Sequence, residues 1–401
     1  MSNRWKSELD LLRRGAADII PEDELKKKLE LAEKEDRQLR VKLGVDPSSP
    51  DLTLGHGVVL RKLRHFQDLG HLAVLVVGDF TRRIGDPSGK TKTREMMSLE
   101  EIQSNMADYE QQAFRILDPE LTEFRYNSEW LGKLTFEDII ELSSKYTVSR
   151  MLEREDFRNR YEQNQPISIM EFLYPLAQAY DSIAIDADVE LGGTDQRFNL
   201  LIGRQIQREY GQPPQIILTV PLLEGTDGVH AMSQTRGNYI GLNEKPKDVY
   251  GKIMAVPDHL MDKYFGLLTD LNPDQFDDLH PKKKKKRLAH QIVANIYSSV
   301  EADHAQKEFE KVFEDGEQPS EMEEIVLYED DVKDDGTIWI VDLLEKTDFV
   351  SSRSQARRLI DQGGVRLDRE KVETINCDPR IEDDVVLQVG KTKYARIIPD
   401  Y

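Results

Sequence analysis

At 401 residues the chain is too long for one compact core, and its 38% hydrophobic and 7% aromatic content supplies apolar material for two or three domains without any stretch long enough to span a bilayer. The formal net charge of −20 at pH 7 excludes broad attraction to nucleic acid, so any RNA contact must come from a local basic patch. A single cysteine, Cys377, rules out an intramolecular disulfide and leaves a cysteine-based zinc site without partners, so no metal site is expected.

The opening stretch, MSNRWKSELDLLRRG, reads as a charged helix without the apolar centre and cleavage site of a secretory signal, which predicts a cytoplasmic protein. From residue 39 to about 222, apolar runs of strand length alternate with amphipathic helical stretches, the pattern of a parallel sheet covered by helices. Strands are predicted over 40–46 and 72–79, with a helix over 54–69 between them. Because open parallel sheets bind ligands beyond the carboxyl ends of their strands, residues 46–56 and 79–94 should face one crevice. VELGGTDQRFNLLIGRQIQ adds a strand, a Gly-Gly turn and a helix, and 214–222 a further strand.

After about Lys245 the periodicity turns helical, through DVYGKIMAV, LMDKYFGLL and the long stretch 282–313, with Pro257, Pro273 and Pro281 as punctuation. Residues 314–336 are acidic and poor in apolar periodicity, and read as a linker with room for a short strand in IVLY. The predicted organisation is a catalytic domain over 1–245, a helical domain over 246–315, an acidic linker over 316–338 and a small domain over 339–401. No solenoid-type repeat is visible.

Three constellations carry chemistry. Asp46-Pro47-Ser48-Ser49-Pro50 precedes Thr53-Leu54-Gly55-His56 at a helix start, where free N–H groups, a glycine that admits close approach and a histidine donor suit ATP. Taken alone, this is ordinary capping and packing. Gly78-Asp79-Phe80-Thr81, followed by Ile84-Gly85-Asp86-Pro87-Ser88-Gly89-Lys90 and Arg94, suits a loop with an ammonium on one side and phosphates on the other, although Gly-Asp-Pro-Ser-Gly by itself is a turn. Tyr174, Gln178 and Asp181, spaced four and three apart, share one helical face, and their apolar neighbours argue for a pocket rather than a solvated stripe.

In this order and spacing the three pieces resemble the bacterial tyrosyl-tRNA synthetases, class I enzymes whose H-I-G-H signature, ammonium and phosphate loop, and tyrosine pocket they match. Leu191-Gly192-Gly193-Thr194-Asp195-Gln196 is similar to the family's G-G-T/S-D-Q element, and YNSEWL and MLEREDF to the branch carrying Lys42 where others have tyrosine. The resemblance implies a Rossmann-like α/β catalytic domain, a helical anticodon-binding domain and a small α+β S-four-type RNA-binding domain. It further implies that Lys42, Gly44, Thr81, Asp86, Tyr174, Gln178, Asp181 and Gln196 hold tyrosine, with Asp181 meeting the phenol. Asp46, Ser48, Thr53, Gly55, His56, Gly193, Asp195, Met232 and Ser233 would hold ATP, and His56, Lys90, Arg94, Gln234 and Thr235 would act in catalysis. The implied partners are L-tyrosine, ATP with its Mg²⁺, tRNA(Tyr) and a second copy of the chain, with no membrane.

The last domain resembles the S-four-type module through Phe349 to Ile360 and Gly363-Gly364-Val365-Arg366-Leu367. Arg353 and Arg357 lie four apart on one helical face with Arg358 beside them, and with Arg366 they form the expected RNA patch. The run Lys282 to Lys286 with Arg287 reads as a solvated face, or, by the resemblance, as a surface near the anticodon end of tRNA.

Departures from the family fall on one function. Where its mobile loop reads K-M-S-K-S, this chain has Ala231-Met232-Ser233-Gln234-Thr235, followed by Arg236-Gly237-Asn238-Tyr239. Thr53 stands at the first histidine of H-I-G-H, and Arg82-Arg83 replace a glycine and an apolar residue. The expected consequence is weakened ATP activation in a tyrosine–tRNA ligase; the alternative is a paralogue that binds tyrosine or RNA without aminoacylating. A tryptophanyl enzyme fits less well, because the pocket residues and the terminal module both point to tyrosine.

Overall fold

Parallel strands buried on both faces read as continuous apolar runs, and RVKLGV and LAVLVV are such runs because they occupy the middle of a six-stranded sheet. In the computed structural model, which describes residues 4–87, 98–390 and 393–401, β1 (Asp18–Ile20), β2 (Arg40–Val45), β3 (Leu72–Val77), β4 (Thr122–Tyr126), β5 (Val189–Gly193) and β6 (Ile216–Val220) take the order β1-β6-β5-β2-β3-β4. Only β1 is antiparallel to its neighbour. The chain reverses direction across the sheet at β2, between β5 and β3, so the carboxyl ends of these strands open the crevice expected of a doubly wound sheet.

The helix Leu54–Asp68 connects β2 to β3, and Arg197–Glu209 connects β5 to β6, both close to their predicted bounds. Two strands escaped the sequence reading. The three residues of β1 follow the opening helix Arg4–Arg13, and β4 is an edge strand half-buried along its whole length, so neither shows an apolar run.

The helix Ile169–Ala184 starts in a capping box: Met170 N donates to Ser168 Oγ at 3.3 Å, and Ser168 N donates to the Glu171 carboxylate at 2.9 Å. Glu171 is also clamped by Arg160 through two hydrogen bonds of 2.6 and 2.9 Å, which fixes the helix that carries the pocket residues.

The predicted boundary at 245 does not separate compact bodies: Met1–Asp303 forms one unit and His304–Tyr401 a second. The helices Pro246–Ala255, Met261–Leu268 and Pro281–Ile296 are present as expected, but they are tied to the sheet portion. Tyr264 Oη donates to Glu224 O at 2.7 Å, Lys263 pairs with Glu224 at 2.7 Å, and Arg61 pairs with Asp270 at 2.7 Å. The lysine run is only in part a solvated face: Lys284 is buried and paired with Asp262 and Asp277 at 2.8 Å each, and Lys285 is buried against Asp258.

The second unit holds a five-stranded sheet in the order β7-β11-β10-β8-β9, from β7 (Glu323–Tyr328), β8 (Val365–Leu367), β9 (Glu370–Lys371), β10 (Val385–Val389) and β11 (Lys393–Asp400). The predicted linker is therefore corrected. Its IVLY segment lies in β7, which pairs in parallel with β11 from Glu323 opposite Ala395 to Tyr328 opposite Asp400, and Leu327 and Ile338 lie in this unit's core. The acidic residues that disguised it line an exposed sheet edge, where charge discourages further strand pairing. No helix among the described residues is long and apolar enough to cross a membrane.

Candidate active site

Beyond the carboxyl ends of β2, β3, β5 and β6 lies a cavity of about 420 Å³. Glycines let its walls come together: a Cβ on Gly78 would collide with Asp46 Oδ1 and Thr81 Oγ1, and one on Gly55 would sit 3.3 Å from Thr53 Oγ1.

At one end, Tyr174, Gln178 and Asp181 project from the helix Ile169–Ala184 into the cavity, as their spacing predicts. They belong to a continuous chain of hydrogen bonds. Tyr174 Oη donates to Asp46 Oδ2 at 2.9 Å, Thr81 Oγ1 donates to Asp46 Oδ1 at 2.9 Å, and Asn127 Nδ2 reaches both Thr81 Oγ1 at 3.0 Å and Asp181 Oδ2 at 3.3 Å. Trp130 Nε1 donates to the remaining Asp181 oxygen at 2.8 Å. Asn127 is itself held by the Phe80 N–H, at 2.9 Å from its Oδ1.

Burial pushes the Asp181 carboxyl up to about 7, against the opposing pull of the Lys42 charge and the Trp130 and Asn127 hydrogen bonds. Burial and the nearby Asp86 charge push Asp46 up to about 6, while Thr81 and Tyr174 pull it down. Asp195 is raised by burial and then by Asp86. Several carboxylates crowd a cavity in which Gln178 Oε1 is buried with no hydrogen-bond partner among the described residues. Such a site is short of a cation with protons to donate, and an ammonium supplies both.

Asp86 is oriented by Gln196 Nε2 at 2.7 Å and Arg154 Nη2 at 3.5 Å, and Gln196 is steadied in turn by Asn199, at 3.2 Å from its Oε1. Lys42 does not line the cavity and is corrected from a ligand contact to a support. It pairs across neighbouring strands with Glu190 at 2.8 Å, both fully buried, and donates to Gln178 O at 2.8 Å and Ser182 Oγ at 2.9 Å. A lysine at this strand position points under the pocket helix and pins its backbone.

At the other end, His56 Nδ1 accepts the Thr53 N–H at 3.0 Å, and burial lowers the ring to about 4. The neutral ring then carries its proton on Nε2 and can donate from there. Gly44, Ser48, Thr53, Gly55, His56, Gly193, Asp195 and Met232 line this part of the cleft. Gln112 and Tyr109 shape the approach: Gln112 Nε2 donates to Pro50 O at 3.0 Å, and Tyr109 Oη to Ser49 O at 2.5 Å.

The altered loop is folded against this end. Ser233 N donates to Asn238 Oδ1 at 2.9 Å, and Gln234 Nε2 donates to Asp51 O at 2.7 Å, while Thr235 is exposed. Ser233, Gln234 and Thr235 therefore stand beside the cavity and not on its wall. Lys90 and Arg94 lie outside the described residues. The residues sequence reasoning missed are Asn127, Trp130, Arg154, Asn199 and Glu190. Asn127 and Trp130 sit in YNSEWL, so the signal existed, but as likeness and not as chemistry.

In the second unit, Arg353, Arg357 and Arg358 lie on the helix Arg353–Asp361, and exposed Arg366 lies on β8, its Nη1 donating to Arg369 O at 3.1 Å. Arg353 is already paired, with Glu345 at 2.6 Å and Asp342 at 3.0 Å, while Arg357 lies 5.4 Å from the centre of the Trp339 ring and Arg358 is exposed.

Residues 34–314 match the family described as tRNA synthetases class I (W and Y), and residues 338–384 match the S4 domain. The tyrosine–tRNA ligase of Thermotoga maritima is 50% identical to this chain, over 98% of this chain and 97% of its own length. That of Moorella thermoacetica is 48% identical, over 97% and 95%. Among solved structures, a C-terminally truncated mitochondrial tyrosyl-tRNA synthetase of Coccidioides posadasii shares the fold with a TM-score of 0.62 at 22% identity, covering 76% of this chain and 95% of the other.

Proposed function

The chain belongs to the tyrosyl-tRNA synthetase family and joins tyrosine to tRNA with ATP, and we propose that the cavity beyond β2, β3 and β5 is where tyrosine is activated. The tyrosine carboxylate attacks the α-phosphorus of ATP, the bond to the β-phosphate oxygen breaks, and pyrophosphate leaves. The tyrosyl group then passes from the adenylate to a ribose hydroxyl of the terminal adenosine of tRNA.

In this reading the phenol O–H donates a hydrogen bond to Asp181, and Trp130 and Asn127 hold the carboxyl group in place for it. The ammonium meets Gln178 Oε1, Tyr174 Oη and Asp86, which answers the unpaired acceptor and the crowded carboxylates together. ATP lies over Gly55 and between His56 and Gly193, bringing Mg²⁺ on its own phosphates, and His56 donates from Nε2. Lys90 and Arg94 act on the phosphates. Alignment and charge stabilisation carry such a transfer, so a loop with no lysine weakens it. Arg82, close enough to lower the Asp46 carboxyl, supplies part of the missing charge.

The tRNA is held in part by Arg357, Arg358 and Arg366. The active form is a homodimer in the cytoplasm: Phe136 and Ile169 are each 80% exposed, and Ile140, Val148 and Tyr161 are exposed on successive helices between them, apolar groups that a second copy would cover.

The observation that carries the proposal is the buried, doubly hydrogen-bonded Asp181 in the same cavity as His56. Tyrosine-dependent ATP–pyrophosphate exchange tests it. Wild-type protein should respond to tyrosine and not to phenylalanine, and Asp181→Ala should lose about 10³-fold in kcat/KM for tyrosine while discriminating less against phenylalanine. Undiminished tyrosine specificity in that variant would overturn the assignment.

A further inference from the structure

A second cavity of about 310 Å³ lies in the first unit, on the far side of the helix Leu54–Asp68 from the reaction cleft. The first turn of that helix serves both hollows: Gly55 and His56 line the cleft, and Leu54 and Gly57 line this cavity. Its floor is apolar, built from Leu54, Phe114, Ile116, Leu268 and Ile292, and three arginines stand at its edge.

Two of these arginines are neutralised. Arg61 pairs with Asp270 at 2.7 Å and Arg64 with Asp68 at 2.8 Å, and both carboxylates also line the cavity. Arg115 differs. It forms no ion pair among the described residues, donates from Nη2 only to the neutral Asn243 Oδ1 at 3.1 Å, and lies 4.7 Å from the centre of the Tyr297 ring. Its Nε is buried without a hydrogen-bond partner among the described residues. Burial lowers the His65 ring, so this residue adds no charge at neutral pH, and the lining carries three positive groups against two negative.

A half-buried guanidinium whose Nε–H is buried and unsatisfied, beside an apolar floor, suits a carboxylate attached to an apolar body. A second negative charge would meet Asp68 and Asp270, so a dianion such as a phosphate monoester fits poorly. We propose that this cavity is a second ligand site for a small monocarboxylate with an aliphatic or aromatic body, its carboxylate on Arg115 and its body on the Leu54, Ile116 and Ile292 floor.

The test titrates the full chain, held in saturating L-tyrosine to occupy the reaction cleft, with 3-cyclohexylpropionate, its uncharged amide and the matching amine, by calorimetry. The acid should bind with a Kd below about 1 mM, the amide and amine at least about 10-fold more weakly. Arg115→Gln should weaken the acid about 10-fold and leave the amide unchanged, while Arg115→Lys should retain most of the binding. The thermal midpoint and tyrosine affinity of each variant report whether it is folded. No binding by the acid, equal binding by acid and amide, or an unchanged Kd in folded Arg115→Gln would overturn the proposal.

Discussion

At the Asp181 end of the cleft Tyr174, Asp46, Thr81, Asn127, Asp181 and Trp130 sit in one chain of hydrogen bonds anchored on several elements, whereas at the loop end Gln234 reaches only a backbone carbonyl, Asp51 O. Asp46, Thr81 and the Asn127 and Trp130 pair come from three segments and converge, so losing any one of these side chains leaves a buried partner unsatisfied, at about 1–3 kcal/mol. Replacing a loop lysine by glutamine or alanine leaves no such vacancy. If the cleft is read as proposed, the groups around Asp181 are locked by burial, while the loop at the other end tolerates substitution because no buried partner depends on it.

The contrast is broken most directly through pH. Asp181 has an ordinary value of 3.8 and is raised to about 7, so between these values the folded protein holds a proton that the unfolded chain has released. Its contribution is therefore favourable at low pH and is lost as pH rises towards 7. Asp46, raised to about 6, acts in the same sense, and His56, lowered to about 4, in the opposite sense between 4 and 6.5. Asp181→Asn isolates one of these groups. Relative to this variant, wild-type protein should lose roughly 2 kcal/mol of unfolding free energy between pH 5.5 and 8, read by urea titration without tyrosine. A constant difference would mean that Asp181 is not held against its burial, and the two ends would be alike.

The loop end is probed by restoring what it lacks. Thr53→His, Ala231→Lys and Gln234→Lys combined should raise the rate of tyrosine-dependent pyrophosphate exchange by about 10- to 100-fold with the KM for tyrosine unchanged. An unchanged rate would mean that Arg82 and its neighbours already supply the charge, and that only the location of the cations differs.

What the sequence disclosed follows the same division. The pocket triad was legible because a helix repeats every 3.6 residues, so Tyr174, Gln178 and Asp181 had to share a face wherever that helix packed. His56 was legible only together with the other motifs, because a glycine and a histidine at a helix start are by themselves ordinary capping, and His56 does accept the Thr53 N–H. Lys42 was misplaced: its side of β2 depends on which helix covers that face, and only the structure shows its pairing with Glu190. Asn127 and Trp130 follow an edge strand without periodic signal, and their role exists only in contact with Asp181. Charge runs misled in both directions. Acidic residues hid β7, and a uniform lysine run hid the two members that face inward, because like charges next to each other in sequence carry no record of their partners in space.

The terminal unit repeats the distinction between paired and available charge on a single helix turn. Arg353 is held by Glu345 and Asp342, whereas Arg357 and Arg358 form no ion pair among the described residues. Released counterions follow the charge that reaches phosphate, and a guanidinium already neutralised by two carboxylates has little left to offer. Arg357→Ala with Arg358→Ala should weaken tRNA binding about 10-fold and reduce the slope of log affinity against log salt by about 1–2, with pyrophosphate exchange untouched. Arg353→Ala should change affinity by less than about 2-fold, and its main effect should be a small loss of unit stability. If Arg353→Ala matched the double variant, its ion pairs would have to open when RNA arrives, and the arginine would be a contact held in reserve by its acidic neighbours.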